Sequence, residues 1–345
     1  MISLEDSPNI VSFEAFYRCH RQPLLHQNIL VSISGGADSD VMLDLMVRTA
    51  KEDNIPMSKF QFVFFDIGIE YQATKDHLDY LEKKYDITIE RLRSITPVPL
   101  GCKRYGVPFI SKHVSENISR LQKHEFDFAV DGTKSYEELL VKYPRCKSAL
   151  KWWCNKHENK KNGDPSSFDI DYNKHLKEFM ILNPPTFKIS NKCCKGAKKD
   201  NAHKVLKEKR SDLNCVGIRK AEGGVRSTAY KSCFSDNRSY DPDNPNSMKD
   251  YDDYRPIFWF TDKDKREYTE FFGIKHSDCY CKYGLKRTGC VGCPFGKNFE
   301  FELETAKKYE PKLYLAVNNI FGDSYEYTRK FLEFKNSKKG VKSVS

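Results

Sequence analysis

Two groups of residues in this sequence have the types and spacing to do chemistry. The first is the run Ser32-Ile33-Ser34-Gly35-Gly36-Ala37-Asp38-Ser39, in which paired glycines sit between serines and an acid follows. Gly35 and Gly36 carry no Cβ, so the backbone there can approach a ligand closely. Successive amides at the start of a helix favour an anion such as pyrophosphate. Ser34 and Ser39 add hydroxyl donors. Asp38 would repel bare phosphate, which points to a bridging Mg2+. No lysine lies in the loop, so it is not the lysine-bearing phosphate loop of kinases and GTPases. A tight strand-to-helix turn with a serine cap is the plainer account of the same residues. The coincidence of strand, S-G-G-x-D-S and helix outweighs it.

The second group is the cysteines, of which the chain has 12. Clustered cysteines in a reducing compartment point to metal or redox chemistry rather than to a disulfide framework. Cys193 and Cys194 are adjacent, and Cys279, Cys281, Cys290 and Cys293 follow in D-C-Y-C-K-Y-G-L-K-R-T-G-C-V-G-C-P. A thiolate cluster needs four ligands at one point. The pair with Cys290-x-x-Cys293 offers four. So does C-x-C-x8-C-x2-C, with Cys279 and Cys281 in place of the pair, and that spacing suits a zinc knuckle as well. If the pair is used, Cys279 or Cys281 is left as a candidate thiol. Cys19, Cys102, Cys146, Cys154, Cys215 and Cys233 read as small buried side chains.

The elements that must position these groups follow from hydrophobic periodicity. N-I-L-V-S-I, F-Q-F-V-F-F-D and I-T-I-E-R-L read as buried strands, and two helix-patterned segments alternate with them. The pattern predicts an α/β fold, a Rossmann-like parallel sheet with crossover helices, followed by a cysteine-rich C-terminal part. Ligands of such sheets sit outside the carboxyl ends of the strands, where Ser34–Ser39 and Asp66–Glu70 both fall. D-L-N-C-V-G-I-R reads as a further strand, Ser115 as a helix cap, residues 155–175 as a polar insertion, 235–254 as a loop and the tail from Lys335 as frayed. The expected division is an extension over 1–27, a nucleotide-binding domain over 28–235 and a helical part over 236–345.

The S-G-G-x-D-S loop resembles the PP-loop of the N-type ATP pyrophosphatases, in the adenine-nucleotide alpha-hydrolase-like superfamily. D-I-G-I-E, with Asp66, Gly68, Glu70 and Thr74, is similar to the D-T-G-x-E segment of the PAPS reductase branch; Ile67 replaces the usual Thr. V-G-I-R-K-A-E-G-G-V-R aligns Gly217, Arg219, Glu222 and Arg226 with a further block of that family, Gly223 replacing a Ser. The R-P-I-F-W-F-T-D stretch resembles the entry to its last helix, with Trp259 read as core. The resemblance implies nucleotide contacts at Ser34, Gly35, Gly36, Asp38, Ser39, Asp66, Gly68 and Glu222. It implies catalytic roles for Asp38, Arg219 and Arg226, whose guanidinium groups suit phosphate or sulfate oxygens. The C-C pair with a distant C-x-x-C resembles the 4Fe–4S site of APS reductases, which implies Cys193, Cys194, Cys290 and Cys293 as ligands.

That family houses two reactions. One cleaves ATP to pyrophosphate and AMP to activate an oxygen for displacement; the other reduces APS or PAPS with a cysteine thiolate. The retained loop fits the pyrophosphate of ATP. The chain has no cysteine after Cys293, where the reductases carry their nucleophile. The expectation is an ATP-dependent iron–sulfur enzyme, similar to the sulfur-inserting member of DNA phosphorothioation systems and to tRNA thiolases. A sulfonucleotide reductase and a non-catalytic ATP-binding subunit of a defence or modification system are the alternatives. Expected cofactors and partners are ATP, Mg2+, a 4Fe–4S cluster, a nucleotide substrate, a nucleic acid (DNA or tRNA) and a sulfur-donor protein. The formal net charge of +10 suits a polyanionic partner. No apolar run has membrane-spanning length, so no membrane partner is expected and the expected location is cytoplasmic.

Overall fold

The apolar run at Ile29 forms strand β1 (Ile29–Ile33), in which every residue except Ser32 is buried. A strand buried on both faces belongs in the middle of a sheet. β1 pairs in parallel with β2 (Phe60–Asp66) on one side and β4 (Leu213–Val216) on the other, with Ile29 opposite Phe60 and Leu213. The computed structural model describes residues 6–160, 162–223, 228–239 and 248–340. Its six-stranded sheet has the order β3-β2-β1-β4-β6-β5, with β3 at Ile89–Arg93, β5 at Phe234–Ser235 and β6 at Asp252–Tyr254. All pairings are parallel except β5 with β6. The chain leaves β1 toward β2 and β3 and returns to β4 on the opposite side. The carboxyl ends of β1 and β4 therefore flank a topological switch point, the place where such sheets bind ligands.

Helices α1 (Ile10–Leu25), α2 (Ala37–Glu52) and α3 (Gln72–Tyr85) belong with this sheet. Val41, Leu45 and Met46 of α2 and Leu78 and Leu81 of α3 bury apolar side chains in the same core as Val31 and Phe62. Ala15, Phe16 and Cys19 of α1 lie in that core too, so the residues read as an extension contribute a helix to it.

The chain divides into two compact units, one of residues 1–95 and 198–290, the other of 96–197 and 291–345. This division interleaves the chain and cuts it elsewhere than the expected boundaries. The first unit holds the sheet. The second holds α4 (Val98–Tyr105) and has its own aromatic core, including Phe109, Trp152, Trp153, Phe179 and Phe331, to which α5 (Lys112–Lys123) and Pro311–Gly340 contribute. Residues 335–340, read as frayed, continue that last helix.

Three local expectations are corrected. The cap of α5 is Ser111, whose side chain accepts from Val114 N; Ser115 lies inside the helix, buried, and donates to Phe109 O. The 155–175 insertion buries Ser166, Asp169 and Ile170. The acid-rich loop contains β5 and β6, because Asp252 and Asp253 meet donors: Asn237 N binds Asp252, and the Asn214 amide and Lys249 bind Asp253.

Candidate functional site

The site is built where β1 turns into α2. Gly35 has φ +65°, a left-handed conformation, and an added Cβ would stand 2.6 Å from the Thr74 methyl. Only glycine fits there. Gly36 caps α2 in extended conformation. The Ser39 hydroxyl, buried, accepts from Ser34 N at 3.0 Å and closes the loop from inside. Accepting this bond leaves the Ser39 O–H to donate. The Ala37 amide donates to the Tyr280 hydroxyl at 3.0 Å. The amides of Gly35 and Gly36 have no hydrogen-bond partner among the described residues.

Gly217, at the end of β4, packs so closely on α2 that a Cβ would lie 3.2 Å from Asp38 O. This approach brings Arg219 onto the loop. Arg219 Nε donates to Asp38 Oδ1 at 2.9 Å, Nη2 pairs with Asp262 at 2.9 Å and Nη1 donates to Phe260 O. Lys265 Nζ also reaches Asp38 Oδ1, at 2.9 Å. Asp38 therefore holds two cations at the switch point. Oδ1 is shared by both, and Oδ2, with no partner among the described residues, is the oxygen through which Asp38 would hold a Mg2+ ion. Glu222 Oε1 accepts from Arg219 N, so it orders the backbone of this turn. Arg226 lies outside the described residues. Along the sequence Lys265 is one charge in the D-K-D-K run that starts the helix Asp262–Phe271, and nothing local marks it as a site residue.

Asp66 and Gly68 form a self-contained turn at the end of β2. Asp66 accepts from Gly68 N at 2.8 Å and pairs with Lys75 at 2.9 Å. Glu70 accepts from Ile67 N and Gly68 N. Burial opposes ionisation of Asp66, but Lys75, Glu70 and the Gly68 amide hold it below the usual range. Burial, with Asp66 adding to it, pushes Glu70 up to about 7, against the Ile67 amide. A buried carboxylate, Asp40, stands beneath the loop with Oδ2 at 2.7 Å from His276 Nδ1 and 3.1 Å from His77 Nε2. It too was missed, because Asp40 reads simply as a helix-start acid.

The cysteine pair lies in the second unit. Its turn, Lys192–Cys194, packs on α4 because Gly101 has no side chain: a Cβ there would be 3.2 Å from Cys193 Cα, and one on Gly196 would be 3.0 Å from Thr96 Cβ. Burial, with the Phe295 amide opposing it and the neighbouring Cys194 and Cys193 adding to it, pushes the Cys293 thiol up to about 12. Cys193, Cys194 and Cys293 are thus gathered in one unit. Cys290 is three residues upstream of Cys293. Among the described residues no group of three or more His, Cys, Asp or Glu side chains is close enough to hold a metal ion as it stands. The donor set suits a thiolate-bound cluster in chemistry and grouping, not yet in closure. In the competing C-x-C set, Cys279 is buried at 3.5 Å from the Thr74 hydroxyl and Cys281 is exposed. All 12 cysteines are thiols.

Trp259, read as core, is 40% exposed, while Phe258 and Phe260 beside it are fully buried. Lys220 stands over its ring at 5.2 Å. The chain turns here, Phe258 N donating to Arg255 O and Phe260 N to Ile257 O, and the turn leaves the central aromatic outside.

Residues 28–142 match the family described as the phosphoadenosine phosphosulfate reductase domain. The stretch contains both the glycine loop and the D-I-G-I-E turn, and the family resemblance is shown over it. No curated protein sequence matches the chain. Among solved structures the chain is similar to phosphoadenylyl-sulfate (PAPS) reductase from Candida auris in its phosphate complex. The identity is 12%, the TM-score 0.39, and the match covers 82% of this chain and 88% of that one. It is also similar to the U34-tRNA thiolase NcsA from Methanococcus maripaludis with its 4Fe-4S cluster. There the identity is 13%, the TM-score 0.37, and the coverage 92% of this chain and 77% of that one. Both scores lie below 0.5, so neither likeness bears on activity. No described helix is long and apolar enough to cross a membrane.

Proposed function

We propose that this chain is an ATP-dependent iron–sulfur enzyme of the PAPS reductase type. It would cleave ATP to AMP and pyrophosphate and transfer sulfur to, or otherwise modify, a nucleic acid or nucleotide. One observation carries the reading: the glycine turn, with the amides of Gly35 and Gly36 unengaged, faces Arg219 and Lys265 at the switch point of the sheet. In the reaction, the bond between the α- and β-phosphates breaks and its electron pair leaves with pyrophosphate. An oxygen of the acceptor takes the AMP group, and sulfur or nitrogen then displaces it. Arg219, Lys265 and the loop amides stabilise the charge on the departing pyrophosphate, which is positioning and electrostatics.

Cys193, Cys194 and Cys293, with Cys290, are the proposed ligands of a 4Fe–4S cluster. When bound, such a cluster supplies either a place to hold sulfur or a rigid staple. Four cysteine ligands leave no open iron and favour the staple.

A nucleic-acid acceptor is supported by Trp259 with Lys220, and by the exposed Lys198, Lys199, Lys204 and Lys207 near Asp200–Glu208. An exposed aromatic among cations suits base stacking beside phosphate contacts. A sulfonucleotide reductase is the second reading, favoured by the family description. The retained S-G-G-x-D-S loop, which fits the pyrophosphate of ATP, counts against it.

The test is anaerobic purification, then incubation with ATP·Mg2+ and candidate acceptors: DNA, tRNA and free nucleotides. Release of AMP and pyrophosphate supports the proposal. Sulfite release from APS or PAPS with a thiol donor overturns it in favour of the reductase. ATP binding with no pyrophosphate release leaves the non-catalytic subunit. A colourless, zinc-containing protein sinks the cluster assignment.

A further inference from the structure

The glycine loop has a second wall, made by the segment that leads to the C-x-x-C cysteines. Tyr280 sits in the short helix Asp278–Cys281, and its phenol oxygen accepts from Ala37 N at 3.0 Å and from Thr288 N at 3.3 Å. A Cβ added to Gly36 would lie 2.9 Å from Thr288 Oγ1, 3.2 Å from the Tyr280 hydroxyl and 3.3 Å from Ser34 Oγ. Three hydroxyls thus converge on one glycine. The tyrosine ring is backed by His276, 5.7 Å away between centroids, which is itself fixed by Asp40.

The chemistry of this cluster is one-sided. The partners of the phenol oxygen are two amide donors and the Thr288 hydroxyl, and among the described residues no carbonyl or carboxylate takes its proton. Burial raises the phenol's pKa, against the Ala37 and Thr288 hydrogen bonds, so the proton stays on at neutral pH. Accepting two amide bonds polarises an O–H and strengthens it as a donor. With the phenol oxygen's lone pairs engaged by amides, its O–H and the rotatable hydroxyls of Ser34 and Thr288 suit a ligand that only accepts. A phosphate chain is such a ligand; a sugar or a base brings donors of its own.

We infer that Tyr280 and Thr288 are phosphate-positioning residues, whose hydroxyls join that of Ser34 in holding the polyphosphate of a nucleoside triphosphate above Gly36. The inference rests on the reading of the loop as an ATP site and names two residues outside every motif that led to it. Lys286 and Arg287, both exposed, precede Thr288, and Cys290 follows it by two residues. One segment therefore carries both a phosphate contact and the first cysteine of the C-x-x-C. This is a physical route by which nucleotide occupancy fixes the chain beside the cysteines.

The test uses the full chain and calorimetric titration with ATP·Mg2+ and with inorganic pyrophosphate, plus adenosine measured by displacement of a fluorescent ATP analogue. Tyr280→Phe and Thr288→Ala should each weaken ATP and pyrophosphate about tenfold, the cost of one hydrogen bond to a charged group. Adenosine affinity should not move, and Thr288→Ser should restore wild-type binding. If the wild type binds both phosphate ligands and the variants bind them within twofold, the inference is overturned. An equal loss for adenosine and ATP overturns it as well, because that marks general damage. If Tyr280→Phe does not fold, the Thr288→Ala and Thr288→Ser pair decides alone. A wild type that binds neither ATP nor pyrophosphate would instead sink the underlying reading of the loop.

Discussion

Replacing Asp38 with Asn removes one charge from a three-part ion cluster and keeps the side-chain shape. Asp38 Oδ1 is 2.9 Å from both Arg219 Nε and Lys265 Nζ, and the Arg219 side chain is only 6% exposed. Removing one partner of a buried pair costs about 3–5 kcal/mol, because the other charge is left uncompensated. Two features reduce that here. Arg219 keeps Asp262 and Phe260 O, and the Asp38 and Lys265 side chains are 22% and 24% exposed, so solvent screens part of the interaction. The expected loss is about 2 kcal/mol, read from urea unfolding at pH 7. The same change should strengthen binding of metal-free pyrophosphate about tenfold, or about 1.4 kcal/mol, because Arg219 and Lys265 lose the internal anion that competes for them. Titration in EDTA measures this. Stability within about 0.5 kcal/mol of wild type would refute the ion-cluster account on this scale. Loss of pyrophosphate binding only when Mg2+ is present would show Asp38 acting chiefly as a metal ligand.

Three further outcomes are expected. Because Glu70 is raised to about 7 in the folded chain, the folded state holds a proton that the unfolded state releases near the ordinary carboxylate value. Its contribution to stability is full below about pH 4 and falls as pH rises toward 7. Glu70→Gln should flatten that slope, and urea midpoints across pH 4–8 would show it. Trp152 and Trp153 are buried whereas Trp259 is exposed, so single-stranded oligonucleotide should quench the tryptophan emission of the wild type and not that of Trp259→Phe; equal quenching in both would remove Trp259 from the acceptor site. Serine at Cys193, Cys194, Cys290 or Cys293 should each lower iron content and visible absorbance after anaerobic purification, and serine at Cys279 or Cys281 should leave both unchanged.

Some of this protein is determined along the chain itself. β1 and β2 are legible because strands buried in a parallel sheet are largely apolar, and 29–33 and 60–66 are apolar apart from Ser32, Gln61 and Asp66; β3, which also reads as a buried strand, lies at the sheet edge with Glu90, Arg91 and Arg93 exposed. The glycine loop is legible because Gly35 stands at positive φ against Thr74, where no other residue fits. Strand β6 is not legible: its acids look like a loop until donors from Asn214, Asn237 and Lys249 meet them. The same holds at the site. Asp38 looks like a metal ligand beside its own loop. Its pairing with Arg219, 181 positions away in sequence, and with Lys265, 227 away, comes only from the packing of β4 and a later helix. Tyr280 and Thr288 lie among cysteines that drew attention to a metal, and only the fold sets their hydroxyls over Gly36. Local pattern determined which segments are buried and where the backbone must bend, since those depend on neighbours along the chain. Which charges neutralise one another, and which donors share a ligand, was decided by tertiary contacts, since Coulomb and hydrogen-bond energies depend on distance in space and not on separation in sequence.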